Sequence, residues 1–82
     1  MNNKEIIKEV AVREGIVTEE AAAVMEEKGE DIPLHTVSGW KQKGYSVKAG
    51  EEGIEVRLWK KKDGEERFFK QKAYLYTIDQ VE

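Results

Sequence analysis

The dipeptide Asp63-Gly64 stands between two runs, "IEVRLWKK" and "ERFFKQKAYLYT", in which apolar and charged residues alternate. Alternation at period two marks a strand with one buried and one wet face. Asp-Gly between two such runs is the strongest short-range signal of a β-hairpin. A two-residue turn would set Lys62 opposite Glu65, and every other pair follows from that register. One face then pairs Leu58 with Phe69, Val56 with Gln71 and Ile54 with Ala73, with Leu75 beyond; this is the expected core face. The other face pairs Trp59 with Phe68, Arg57 with Lys70, Glu55 with Lys72 and Gly53 with Tyr74, and Lys61 and Tyr76 point the same way. Upstream, "YSVK" predicts a short third strand and "AGEEG" a turn.

Before Tyr45 the periodicity is helical. In "NKEIIKEVAVREG", Ile6, Ile7, Val10 and Ala11 share a face, Asn2 or Asn3 caps the start, and Gly15 supplies the stop. "TEEAAAVMEEKG" opens on Thr18 as N-cap, with Glu19 and Glu20 in the first turn, and closes on Gly29. Ala21, Val24, Met25 and Lys28 line its expected packing side. Glu26, Glu27, Glu30 and Asp31 gather near its negative dipole end, which points them to solvent or to a basic partner. "DIPLHTVSGWKQKG" reads as a turn and a short helix capped by Thr36 or Ser38, ending at Gly44 and holding Trp40 between Lys41 and Lys43. The expected fold is therefore α+β and a single domain over 1–82. Residues 1–44 are mainly helical and pack on one face of a small antiparallel sheet, about three-stranded, formed by 45–82.

At 82 residues the chain can bury only about 60% of the surface it exposes unfolded, so a separate catalytic domain has no room. It has no cysteine, which excludes disulfides and thiolate metal sites. No run approaches the ~18 apolar residues of a membrane span, and "MNNKEIIKEV" lacks the apolar stretch of a signal peptide, so the expected location is cytoplasmic. His35, the single histidine, has no histidine or cysteine companion, so no metal is expected and it reads as a turn residue. The adjacent carboxylates Glu19/Glu20, Glu26/Glu27, Glu51/Glu52 and Glu65/Glu66 fall at helix starts, exposed ends or turns rather than in a sheltered cleft. No nucleophile–base pair or phosphate-loop fingerprint occurs. The expectation is a non-enzyme without cofactors.

Net charge is −3, unevenly spread. Residues 1–35 carry 4 Lys/Arg against 9 Asp/Glu, and residues 36–82 carry 10 against 8. On the wet face of the hairpin, cations beside flat rings suit a single-stranded nucleic acid: phosphates meet the cations, and bases stack on the rings for about 1–3 kcal/mol each. The candidate binding residues are Lys41, Lys43, Lys48, Arg57, Trp59, Lys61, Phe68, Lys70, Lys72, Tyr74 and Tyr76. The same pattern also fits a merely solvated face on which Arg57 and Lys70 splay apart while Trp59 and Phe68 cover each other. A protein-interaction surface, in an adaptor or a homodimer, is the alternative reading.

The stretch "GYSVKAGEEGIEVRLWKK", with Gly44, Val47, Lys48, Gly50, Glu51, Gly53, Val56 and Trp59-Lys60, resembles the N-terminal domain of ArdC-type antirestriction proteins and LtrC-like relatives of plasmids, conjugative elements and phages. Trp40 and the closing "YTIDQVE" extend the resemblance over residues 34–82. It implies an α+β fold and single-stranded DNA binding. In full-length relatives it also implies a metallopeptidase-like domain with a His-Glu-x-x-His signature, which this chain does not carry. The family's turn is typically Val-x-Lys-Gly-Glu-Lys-Gly; here Ala49 and Glu52 stand where lysines are usual, which weakens phosphate attraction at the loop.

Overall fold

Asn2, Thr18 and Thr36 each open a helix by the same device, a side-chain oxygen accepting a backbone N–H that the first turn leaves unbonded. The computed structural model describes residues 2–61, 64 and 66–82. Asn2 Oδ1 accepts from Glu5 N at 2.9 Å and starts helix α1, Asn3–Arg13. Thr18 Oγ1 accepts from Ala21 N at 3.0 Å and starts α2, Glu19–Lys28, which ends on Gly29 at φ 72°.

These two helices form one compact unit, Met1–Pro33. Its core is Val10 and Ala11 of α1 with Ala22 of α2, and Ile6, Ile7 and Met25 are half-buried. The expected α2 face is corrected by one residue. Ala22 is fully buried, whereas Ala21 is exposed and Val24 is 47% exposed. An alanine at the contact lets the two backbones approach closely. Lys8 Nζ meets Glu26 Oε2 at 2.7 Å and ties the helices together. That hydrogen bond, and then the charge attraction, holds the Lys8 pKa above its ordinary value and Glu26 below its own. One of the carboxylates near the C-terminal end of α2 thus finds its basic partner within the unit.

The second unit is Leu34–Glu82. It holds strand β1, Leu34–His35; helix α3, Val37–Gln42; β2, Ile54–Lys61; and β3, Phe68–Thr77, which runs into a single 3-10 turn at Ile78–Gln80. The sheet is antiparallel in the order β1-β3-β2. Among the described residues, three α-helices and a three-stranded antiparallel sheet make an α+β fold, with α1 and α2 ahead of the sheet in the chain. Helix α3 belongs to the sheet's unit and packs against β1 and β3.

Two strand expectations are corrected. "YSVK" is not a strand of the hairpin sheet. Ser46 exchanges backbone hydrogen bonds with Glu82 at 2.9 and 2.8 Å, and Val47 makes one bridge to Val81. The third strand is Leu34–His35, pairing Leu34 with Thr77 and His35 with Tyr76. Leu34 is fully buried there, and burying such a side chain is worth about 1.5–3 kcal/mol, which favours this pairing. His35 is consequently a strand residue and not a turn residue; its ring meets Trp40 edge-on at 4.7 Å.

The second correction is the hairpin register. Asp63 and the proposed Lys62–Glu65 pair lie outside the described residues. The strands themselves pair Lys61 with Phe68, Trp59 with Lys70, Leu58 with Gln71, Arg57 with Lys72, Val56 with Ala73, Glu55 with Tyr74 and Ile54 with Leu75. Every expected pair is displaced by two positions. The expected register left Leu75 without a partner; the observed one sets it against Ile54, and Leu75 is fully buried. Because side chains alternate with period two, a slip of two residues keeps every side chain on its expected face. Among the described residues of this unit, Leu34, Trp40, Val56, Leu75 and Val81 are buried.

Candidate nucleic-acid interface

The wet face of the hairpin is built by alternation alone. Glu55, Arg57, Trp59 and Lys61 of β2 lie opposite Tyr74, Lys72, Lys70 and Phe68 of β3, and Tyr76 continues the row. All are exposed except Trp59 and Tyr76, which are half-buried; Phe68 is 56% and Tyr74 45% exposed. Four cations thus share this face with one carboxylate, Glu55. Side chains two apart along a strand sit about 6.8 Å from each other, a spacing comparable to the repeat of an extended single strand.

The pairs within this face differ from those expected. Trp59 faces Lys70, whose Nζ sits 5.1 Å from the centroid of the indole ring, so Phe68 is not its directly opposed partner. Phe68 stands against Lys61 instead. Arg57 and Lys72 are the like-charged opposed pair, in place of Arg57 and Lys70. Their repulsion is offset by Glu55, whose carboxylate reaches Lys72 Nζ on the diagonal at 3.2 Å.

Tyr76 is seated by a close approach. A Cβ on Gly53 would fall 2.7 Å from the Tyr74 Cβ and 2.8 Å from Cζ of Tyr76, so only glycine admits the tyrosine ring across the backbone there. Gly50 serves differently, with φ 82° in the preceding turn. At Gly53 the constraint is space, not a positive φ. The Tyr76 carbonyl accepts from the Trp40 indole N–H at 2.8 Å. Trp40, buried between His35 and Tyr45, is therefore an anchor for the strand that carries the face.

The remaining candidates lie elsewhere. Lys41 is exposed in α3, and Lys43 is its exposed C-terminal cap. Lys48 sits in the loop before β2, where its Nζ donates to the Asp79 carbonyl at 3.1 Å and its N–H to the Gln80 carbonyl at 2.9 Å. Gln80 is the residue sequence reasoning missed. Its Oε1 accepts from Thr77 N at 2.9 Å while its Nε2 donates to the Glu52 carbonyl at 2.8 Å, so one side chain holds the strand exit and the glycine-rich loop together. The signal was present as Thr77-x-x-Gln80, the spacing of a capping box.

Among the described residues there is no group of three His, Asp or Glu side chains that could hold a metal ion, and no helix long and apolar enough to cross a membrane. No protein-family model, curated protein or solved structure matches the chain.

Proposed function

We propose that the β2–β3 face binds single-stranded nucleic acid without catalysis. The observation that carries this reading is the alternation of exposed cations and rings on one side of one sheet: Arg57, Lys61, Lys70 and Lys72 among Trp59, Phe68, Tyr74 and Tyr76. Cations take phosphates and rings take bases without sequence readout, because every base has a π-face. A rigid sheet presents them already in place, which limits the ordering cost of binding. A duplex would offer its phosphates but keep its base faces stacked, so single strands are preferred.

The sheet, rather than the glycine-rich loop, makes the contacts. Glu51 and Glu52 repel phosphate at the loop, and Lys48 is engaged by Asp79. The likeness to ArdC-type domains favours DNA as the strand and a cytoplasmic role in a mobile element or prophage. A fluorescently labelled oligonucleotide tests the reading. Its anisotropy rises with wild-type protein and stays flat with Lys70→Glu/Lys72→Glu; equal binding by the two proteins refutes it.

A further inference from the structure

Strand β2 lies at an edge of the sheet, with β3 its only strand neighbour among the described residues. An edge strand offers unpaired N–H and C=O groups to any second strand, and proteins normally blunt such edges with charges. Here the charges are arranged differently. Read outward from Val56 in both directions, the sequence is antisymmetric in charge and symmetric in apolarity. Glu55 mirrors Arg57, Ile54 mirrors Leu58, Gly53 mirrors Trp59, Glu52 mirrors Lys60 and Glu51 mirrors Lys61.

We propose that a second copy of this chain pairs with this edge, β2 against β2, antiparallel and centred on Val56. Two-fold antiparallel pairing places residues directly opposite on the same face, so the centre falls on a residue and the possible registers can be compared one by one. Centring on Glu55 sets Glu55 against Glu55. Centring on Arg57 sets Arg57 against Arg57, and centring on Trp59 sets Arg57 against Lys61. Centring on Leu58 pairs Glu55 with Lys61 but lays Lys60 against Val56.

Only the Val56 centre among these matches every described position. It pairs Glu55 with Arg57 and Ile54 with Leu58 twice each, and Val56 with Val56. Glu52 and Glu51, just ahead of the strand, come level with Lys60 and Lys61 of the second copy. Trp59 falls opposite Gly53, over which the Tyr76 ring already lies, so the two rings become neighbours. Arg57 gains a carboxylate partner, where among the described residues of its own chain it pairs with none and stands opposite Lys72. The product is one continuous six-stranded sheet with the two cationic faces side by side.

Pairing over the five positions 54–58 covers less area than a standard protein interface, so the dimer dissociates with a constant on the order of tens of micromolar. Sedimentation equilibrium of the full chain without nucleic acid tests the proposal. Wild type is expected to show a monomer–dimer equilibrium that weakens with added salt. Arg57→Glu sets four carboxylates in two opposed pairs and weakens the dimer about tenfold or more, and Glu55→Arg/Arg57→Glu restores it to within about threefold. Lys61→Glu, at the exposed strand end, is a second breaking variant should Arg57→Glu lose its circular dichroism. A chain that stays monomeric at about 500 μM overturns the proposal. So does a dimer indifferent to both breaking variants, or one that the charge swap fails to restore. Because no oligonucleotide is present, these results stand apart from the nucleic-acid reading.

Discussion

Gly53→Ala puts the packing beneath the binding face to a sharp test. The added Cβ would sit 2.7 Å from the Tyr74 Cβ and 2.8 Å from Cζ of Tyr76. The Tyr74 Cβ is fixed to the β3 backbone, so the tyrosine ring cannot relieve the clash alone and the strands must part locally. Overpacking of this kind costs about 1–3 kcal/mol. For a domain of this size each kcal/mol lowers Tm by about 4–8 °C, so the variant should melt roughly 5–20 °C below wild type. Gly50→Asn is the control. Its φ of 82° lies in a region asparagine tolerates, and no atom lies within 4 Å of an added Cβ, so the loss should stay near or below ~1 kcal/mol. Trimming the ring as well, in Gly53→Ala/Tyr76→Leu, should recover part of the loss relative to the sum of the single variants. Thermal melts by circular dichroism read wild type, these three variants and Tyr76→Leu alone, five proteins in all. A Gly53→Ala protein that melts with wild type, or costs no more than Gly50→Asn, refutes the close approach of Tyr76 and with it the placement of that ring.

Trp59→Ala should weaken oligonucleotide binding by about 3- to 30-fold. Stacking on a ring is worth about 1–3 kcal/mol, less the ~0.5–1 kcal/mol of the Lys70 contact that a base would displace; anisotropy titration measures it, and an unchanged affinity removes Trp59 from the interface. Gln80→Ala leaves the Thr77 N–H and the Glu52 carbonyl without their partner and should cost about 1–3 kcal/mol, seen as a lower Tm and faster amide exchange at Thr77. Glu26→Gln removes the tie to Lys8, and its effect follows pH. The folded Glu26 pKa is depressed, so the stabilisation exists above the ordinary carboxylate pKa and is lost as pH falls through the depressed value. The folded Lys8 pKa is raised, so its share is present below the ordinary lysine pKa and lost as pH rises through the raised one. The gap in Tm between wild type and Glu26→Gln should therefore be open at neutral pH and close in strong acid; a gap independent of pH contradicts the pairing.

Local chemistry was the legible part of this sequence. Thr18 and Gly29 read correctly, and Thr36 was one of the two caps offered with Ser38, because capping depends on one side chain and the few residues after it. The bounds of β2, Ile54–Lys61, read correctly because the period-two pattern begins and ends sharply there. The face carrying Arg57, Trp59, Lys70 and Tyr74 was also legible, since alternation decides face membership whatever the pairing. Pairing was not. The register depended on assuming a two-residue turn, and the apolar match of Ile54 with Leu75 and Val56 with Ala73 outweighed that local preference. The edge strand Leu34–His35 could not be read because two residues carry no periodicity; its position comes from burying Leu34 and from Trp40 bonding the Tyr76 carbonyl. The role of Gly53 was hidden for a related reason, since a ring 23 positions away sets it.

The most direct test of the account is the salt dependence of single-strand binding by the wild-type chain. Arg57, Lys61, Lys70 and Lys72, with Lys72 shared with Glu55, should neutralise about three or four phosphates, giving a slope of log K against log salt near −2 to −3. A slope in that range, flattened by about 0.7 in Lys70→Met, is the predicted result. No binding at low salt with about 100 μM protein, or binding whose affinity ignores salt, would contradict it.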